Sequence, residues 1–341
     1  MEKQYFFKSL LLTIIFLIII GITGYIIDPY QQIRYNSDYC YGEQRIVNFG
    51  LAKNYSYETV VIGTSTSENI LKQDVDSIFN TNSVNLSLSG STALEQRNLL
   101  NVIIKNPNVK KVIYGLDIFS YNREGVRTEK NNYLNNKMKY IFNISTLKSN
   151  LKILRKLLHK TNNKDWIYYW SYWGDQYIYS EENTLNFDKN TQFGGQNLGA
   201  LKESKNGFIY DLMKKNYDEF LKIVNKNENI EYIIYFPPYS SLYWYILEKY
   251  DNLENILKFK KYVYLKSKNI KNIKLYDFQY DESIINNLNN YKDSVHYGDF
   301  INKEILKRIN DNNKEDNIIK FDNKIVELID INRKKFDCIL K

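Results

Sequence analysis

The stretch TVVIGTSTSEN, residues 59–69, holds the pattern that decides the fold. Its first four residues are β-branched, which favours a buried strand, and a glycine and a row of hydroxyl side chains follow at once. Ser and Thr are favoured at helix N-caps, so the turn leads toward a helix. The stretch therefore predicts a strand, a tight turn and the start of a helix.

Short apolar runs of the same character recur along the chain, and helical patterns separate them. The predicted strands are residues 59–62, 83–86, 112–114, 232–236 and 273–276, and the predicted helices are residues 93–106, 209–225, 242–268 and 300–310. Apolar strands that alternate with helices indicate a mostly parallel sheet covered on both faces. We therefore expect an α/β fold.

The N-terminus carries a long apolar segment. Residues 10–27, LLLTIIFLIIIGITGYII, contain no charge and follow Lys3 and Lys8. A helix of this length spans about 27 Å, close to the hydrocarbon core of a bilayer. A cleaved signal peptide and a buried core helix are the alternatives, but the run passes into Asp28 without an Ala-x-Ala pattern, which favours a retained signal anchor. The two lysines predict a cytoplasmic N-terminus and a domain that faces outward.

These patterns divide the chain into four parts. We expect a cytoplasmic tip and transmembrane anchor at 1–29, a polar, Tyr-rich juxtamembrane collar at 30–57 and an α/β domain at 58–315. That domain contains an insertion at about 121–206, and an added C-terminal helix covers 316–341. The insertion holds the aromatic cluster DWIYYWSYW and the loop-like QFGGQNLG, and the cluster fits either packing or a sugar-binding platform.

Composition excludes several classes of function. With 341 residues, 43% of them hydrophobic, the chain can bury a core, and its net charge of +8 is spread without a basic stripe, which argues against nucleic-acid binding. Two cysteines, Cys40 and Cys338, exclude a disulfide scaffold and a cysteine-ligated zinc site. Of the two histidines, His159 lies in a basic helical stretch and is expected at the surface, which leaves His296. No metal or organic cofactor is implied.

Residues suited to acyl chemistry follow the predicted strands. A serine nucleophile needs a base, and the base needs a carboxylate; Ser65 follows the first strand, and Asp293 and His296 precede the last helix of the domain. The carboxyl ends of parallel strands share one edge, where such residues meet. Ser65 also fits a simple helix N-cap, His296 also fits a surface loop, and Thr64 and Ser67 compete as nucleophiles in the same turn.

Four elements resemble, in order, the motifs of the SGNH/GDSL hydrolase superfamily over roughly residues 58–311. They are Gly63-Thr64-Ser65 after the first strand, Gly90 after the second, Gly115-x-Asp117 after the third and Asp293-x-x-His296 before the terminal helix. An N-terminal anchor ahead of such a domain looks like the envelope proteins of the D-alanyl-transfer and alginate O-acetylation type.

The resemblance implies a flavodoxin-like three-layer fold and ester chemistry through an acyl-serine. Ser65 would be the nucleophile, His296 the base and then the acid, and Asp293 the orienting carboxylate. The backbone N–H groups of Ser65 and Gly90 would form the oxyanion hole. Asp117 stands where the family usually offers an Asn to that hole, and an ionised Asp would repel a developing oxyanion.

The resulting hypothesis is a single-pass cell-membrane protein with an extracytoplasmic O-acyltransferase or esterase domain. It would act on an acyl ester of a cell-envelope polymer, with a glycan or teichoic-type acceptor, beside a multi-pass membrane acyltransferase. The alternative is a non-catalytic, membrane-anchored binding or scaffold module for envelope polysaccharide assembly, which Asp117 favours.

Overall fold

A computed structural model of the chain describes residues 2–36, 44–126, 136–158, 173, 176–190, 207–313, 316, 319–320 and 324–339. The chain forms two compact units. Met1–Ser56 and Arg127–Tyr169 make up the first, and Tyr57–Val126 and Trp170–Lys341 make up the second.

The described elements alternate as an α/β chain does. The strands are β1 (Thr59–Ile62), β2 (Ser83–Asn85), β3 (Lys111–Gly115), β4 (Glu231–Phe236) and β5 (Ile273–Asp277). The helices are α1 (Glu2–Ile27), α2 (Gln44–Asn54), α3 (Ser65–Glu68), α4 (Lys72–Phe79), α5 (Ala93–Ile103), α6 (Ile118–Tyr121), α7 (Lys137–Ile141), α8 (Ile144–Leu158), α9 (Glu181–Asn190), α10 (Tyr210–Asn225), α11 (Ser241–Lys249), α12 (Leu253–Ser267), α13 (Glu282–Ile285), α14 (Asp299–Asn310), α15 (Lys324–Asp330) and α16 (Arg333–Ile339).

The second unit is built on a five-stranded sheet with the order β2-β1-β3-β4-β5. Every neighbouring pair of strands is parallel, which confirms the predicted α/β class. All five predicted strands are confirmed, and their ends differ from the prediction by one residue at most. The reason is clearest for β1, β3 and β4, in which β-branched and aromatic residues fill most of a buried strand, so that the strand stands out as a short apolar run.

The strand order determines where a site can form. β1 lies between β2 and β3, so the connections that leave β1 and β3 turn to opposite sides of the sheet. In open parallel sheets ligands bind beyond the carboxyl ends of the strands at such a switch point. All four residues of β1 are buried, and the hydroxyl-rich turn begins directly at its carboxyl end.

One predicted helix is wrong. Residues 242–268 form two helices, α11 and α12, instead of one. Between them Asp251 takes a φ of 54°, and Asn252 donates from Nδ2 to the carbonyl of Tyr250 at 2.8 Å. Asp and Asn adopt this left-handed conformation because their short side chains bond to nearby backbone, and helical hydrogen bonding stops there.

Two further regions differ from expectation or lie outside what is described. The C-terminal segment contains two short helices, α15 and α16, where one was expected. Within the predicted insertion at 121–206, helices α7, α8 and α9 are described. The QFGGQNLG motif, His159, Cys40 and all of the Trp/Tyr cluster except Trp173 lie outside the described residues.

In the first unit α1 is long and apolar enough to cross a membrane. The most apolar 18 residues of the segment Lys3–Ile27 have a mean hydropathy of 2.8, and only 11% of that part is buried. No other helix in the described part of the chain has this length and apolarity. The low burial argues against the interpretation of this segment as the core helix of a soluble domain.

Candidate active site

The turn after β1 brings Ser65 to the first position of α3. Gly63 leaves the strand where a side chain has no room, since a Cβ there would lie 2.5 Å from Ser67 Oγ. A Cβ on Gly115, at the end of β3, would collide with the same hydroxyl. Ser67 is therefore held between the two strand ends, where its hydroxyl lies 2.9 Å from that of Tyr235.

Only one of the three candidate nucleophiles in this turn is accessible. Ser67 is fully buried, and Thr64 is 3% exposed and donates its hydroxyl to Asp117. Ser65 is half-buried. Burial therefore singles out Ser65 as the hydroxyl that an external substrate can reach.

The structure brings Ser65, His296 and Asp293 together. Ser65 Oγ lies 2.7 Å from His296 Nε2, and His296 Nδ1 lies 2.9 and 2.8 Å from the two oxygens of Asp293. With the proton on Nδ1, the ring donates to the carboxylate and Nε2 accepts the Ser65 proton. This is the geometry in which a base activates a hydroxyl and a carboxylate holds the base in the required tautomer.

A short hairpin presents the histidine and the aspartate. Tyr291 and Tyr297 pair as an isolated antiparallel bridge that closes the loop between them. The carbonyl of Ser294, at the loop tip, accepts from the Ser240 backbone N–H at 3.1 Å and from its hydroxyl at 2.6 Å. The loop between β4 and α11 therefore anchors the hairpin that carries His296.

Asp293 is held in its ionised form. Its Oδ1 accepts the backbone N–H groups of Val295 at 2.9 Å and His296 at 2.8 Å. Burial opposes the charge, but the His296 ring and these N–H groups outweigh it and hold the pKa of Asp293 below its ordinary value. A carboxyl group of this kind stays an acceptor for the imidazole throughout the neutral range.

Replacing Asp293 with Asn should destabilise the chain more near neutral pH than at about pH 3. The lowered pKa means that the unfolded state binds the proton more tightly, so the ionised carboxyl contributes stability above its unfolded pKa of about 4. That contribution is lost as the pH falls through the lowered native pKa. Urea unfolding of both proteins measures it, and an equal stability difference at the two pH values would contradict it.

Asp117 is buried and serves as an acceptor. Its Oδ2 accepts the hydroxyl of Thr64, and its Oδ1 accepts the hydroxyl of Tyr239 at 2.6 Å and the N–H of Phe119 at 3.3 Å. Burial, reinforced by the charge of Asp117, raises the pKa of Tyr239, which keeps that phenol a donor. The structure thus uses Asp117 to tie the nucleophile turn to the loop after β4 and does not place it as an oxyanion donor.

The two expected backbone donors lie on neighbouring loops. As the first residue of α3, Ser65 has an N–H without an intrahelical acceptor. Gly90 sits in the turn after β2 with a φ of 58°, a left-handed conformation that favours glycine. Leu88, at the start of that turn, donates its N–H to the carbonyl of Gly63 at 3.0 Å, which joins the turn to the Ser65 turn.

An asparagine that was not predicted from the sequence as a functional residue fixes the turn that carries Ser65. Asn85, the last residue of β2, donates from Nδ2 to the carbonyls of Ser67 at 2.8 Å and Ile70 at 2.9 Å. Its Oδ1 accepts the N–H of Ser87 at 2.9 Å. Carbonyls at the end of a one-turn helix need outside partners, and Asn85 supplies them. An isolated Asn gives no sequence signal for this role.

An aromatic and cationic cluster borders His296. The ring of Trp173, 8% exposed, meets the imidazole edge-on with centroids 5.8 Å apart. The ammonium of Lys292 lies 4.0 Å from the Trp173 centroid and 3.5 Å from that of Tyr177, within cation–π range. Burial lowers the pKa of Lys292. This placement favours a packing role for Trp173 over a role as a sugar-binding platform. The packed Trp173 ring holds the imidazole of His296 in place.

No group of three metal-ligating side chains is assembled in the described ranges.

No protein-family model matches the sequence, and no curated protein matches it either.

Proposed function

We propose that the chain is a membrane-anchored, SGNH-like O-acyltransferase or esterase that acts on an acyl ester of a cell-envelope polymer. The observation that carries the proposal is the 2.7 Å contact between Ser65 Oγ and His296 Nε2, with Asp293 on the far side of the imidazole. The N-cap of α3 is Thr64, so helix capping does not account for the contact of Ser65 with His296.

The reaction follows from these three groups. Ser65 Oγ attacks the acyl carbonyl while its proton passes to His296 Nε2, and the backbone N–H groups of Ser65 and Gly90 receive the developing oxyanion. His296 then gives the proton to the leaving alkoxide, and an acyl-Ser65 ester remains. In the second half, His296 takes a proton from an acceptor hydroxyl or from water, whose oxygen attacks the ester and releases Ser65.

The fold and the N-terminal helix support the same assignment. The strand order β2-β1-β3-β4-β5 is the one found in flavodoxin-like sheets, the architecture expected of an SGNH-like domain. Lys3 and Lys8 precede the apolar part of α1, and cations on that side favour a cytoplasmic N-terminus. The sheet unit would then face the cell envelope on a single-pass anchor.

The partners follow by analogy with envelope systems that this arrangement resembles. An acyl donor must cross or be made at the membrane, which a multi-pass membrane acyltransferase would provide. The acceptor would be an envelope glycan or a teichoic-type polymer with free hydroxyl groups.

A non-catalytic scaffold is the second candidate, and one observation favours it. Asp117 occupies a position where an amide donor is expected, and its carboxylate accepts four hydrogen bonds in place of donating one. A scaffold would need no activated hydroxyl, so it would leave the contact of Ser65 with His296 without a purpose.

Active-site labelling separates the two candidates. The purified full-length chain in detergent is treated with a serine-directed fluorophosphonate, and its turnover of a chromogenic acetyl ester is followed. An acyltransferase or esterase should be labelled at one site, mapped by mass spectrometry to the peptide that contains Ser65, and should release the chromophore. Absence of both labelling and turnover would favour the scaffold.

A further inference from the structure

Helix α8, in the first unit, buries mostly polar side chains and exposes apolar ones, the reverse of a helix in a water-soluble domain. Its buried face holds Thr146, Ser149, Asn150 and Ile153, three of which are polar. Ser149 Oγ lies 2.9 Å from the hydroxyl of Tyr30. The other two polar side chains, Thr146 and Asn150, have no hydrogen-bond partner among the described residues. A helix of a water-soluble domain normally turns its apolar side chains inward and its polar ones outward.

Three apolar side chains of α8 point outward. Ile144, Leu151 and Leu154 are 63%, 59% and 36% exposed and share one face of the helix. Three exposed cations, Lys148, Lys152 and Arg155, line the adjacent flank. An apolar face bordered by Lys and Arg is the pattern of a helix that lies at a membrane surface.

This helix packs on the C-terminal end of α1 through small residues. A Cβ on Gly24 would lie 2.9 Å from Ile141 Cγ2 and 3.6 Å from Asn150 Nδ2, and a Cβ on Gly21 would lie 3.6 Å from the Phe142 ring. Glycines that allow close approach, with polar side chains at the contact, are typical of helices that pack within a bilayer.

The length of α1 sets the depth of that contact. The apolar segment Lys3–Ile27 has 25 residues. It extends about 37 Å, against a hydrocarbon core of about 30 Å, so about 4 Å, its last two or three residues, reaches the lipid head groups. Gly24 and Gly21 lie about 5 and 9 Å before the end of α1, so α7 and α8 pack on α1 in the acyl-chain layer next to the head groups.

We propose that α7 and α8 form a second membrane contact, with α8 lying in the head-group region of an anionic bilayer at the C-terminal end of α1. Ile144, Leu151 and Leu154 face the acyl chains, and the cationic flank faces the lipid phosphates. The proposal rests on the membrane anchoring that is part of the proposed function, but not on the acyl chemistry. The packing of α8 on α1, whose own apolar side chains are exposed, and the adjacent cations are what identify lipid as the occupant.

Single-cysteine labelling tests the contact in the full-length chain. Cys40→Ser and Cys338→Ser remove the native thiols, and Leu151→Cys carries an environment-sensitive fluorophore in vesicles of phosphatidylcholine and phosphatidylglycerol. The label should shift to the blue and lose about half of its emission to lipids that carry a nitroxide just below the head group. Leu265→Cys, an exposed leucine of α12 in the other unit, is the matched control and should be quenched by less than a tenth of that amount.

A fluorophore at Leu17→Cys on α1 distinguishes failure of the α8 contact alone from failure of the membrane anchor. If nitroxides at mid-chain quench Leu17 while Leu151 behaves like Leu265, the anchor stands and the α8 contact is refuted. If neither position is quenched, the anchor and the α8 contact both fail, whatever the fluorophosphonate result. A blue shift at Leu151 that persists in detergent, rises with protein concentration and escapes lipid quenching would assign this face to a second copy of the chain and overturn the proposal.

Discussion

Ser65→Ala should lower kcat/KM for an acetyl ester by about ten-thousand-fold or more and abolish fluorophosphonate labelling. The reason is geometric, since Ser65 Oγ is the one hydroxyl of its turn that is both accessible and within 2.7 Å of His296 Nε2. The activity that remains would come from substrate binding and the backbone donors alone. Initial rates and gel fluorescence measure the two effects.

The matched control is Ser77→Ala, an exposed serine on α4 whose hydroxyl bonds to the Asp74 carbonyl at 3.1 Å. It should retain the rate and the label of the parent. If labelling survives in Ser65→Ala, the nucleophile is another residue. If both variants lose activity while circular dichroism remains unchanged, the assay reports something other than the Ser65 site.

Asp117→Ala should lower the free energy of unfolding by about 2–4 kcal/mol, because it removes the acceptor of buried donors. The hydroxyls of Thr64 and Tyr239 and the N–H of Phe119 would lose their partner. We also expect turnover to fall by about a hundred-fold, since Thr64 precedes Ser65 and small displacements of a nucleophile are costly. Urea unfolding and ester turnover measure the two quantities.

Asp117→Asn distinguishes two roles of Asp117, a structural tether between the nucleophile turn and the loop after β4, and a group that faces the oxyanion. The amide keeps the volume and one acceptor, so the tether predicts a smaller loss of stability and no gain in rate. If the position instead faced the oxyanion, the new N–H donors would stabilise it, and turnover would rise by about ten-fold or more. Such an increase would contradict the interpretation of Asp117 as a structural acceptor.

Much of the fold could be predicted because its signals are local. Strands β1, β3 and β4 are built mostly from β-branched and aromatic residues, and the alternation of strands with helices implies parallel pairing without knowledge of any contact. The same holds for α1, whose length and lack of charge are visible in residues 10–27. The break at Asp251 was missed because apolar periodicity continues on both sides of it, and one left-handed residue changes no pattern.

The candidate active site, like the fold, could be predicted from local sequence only in part. The sequence by itself determined which residue types could perform acyl chemistry and, through the parallel sheet, that Ser65 and His296 would meet at one edge. Only the tertiary structure decided which hydroxyl meets the base, because Thr64, Ser65 and Ser67 share one turn and differ only in what surrounds them.

The role of Asp117 and the faces of α8 were likewise decided by tertiary contacts. Asp117 is an acceptor because Tyr239, 122 residues away, folds against it. The apolar side of α8 faces outward because its opposite side, which holds Asn150, packs on α1 at Gly24. Local sequence reports how apolar or polar a segment is, whereas the partner of each side chain depends on residues that are distant in the chain and close in space.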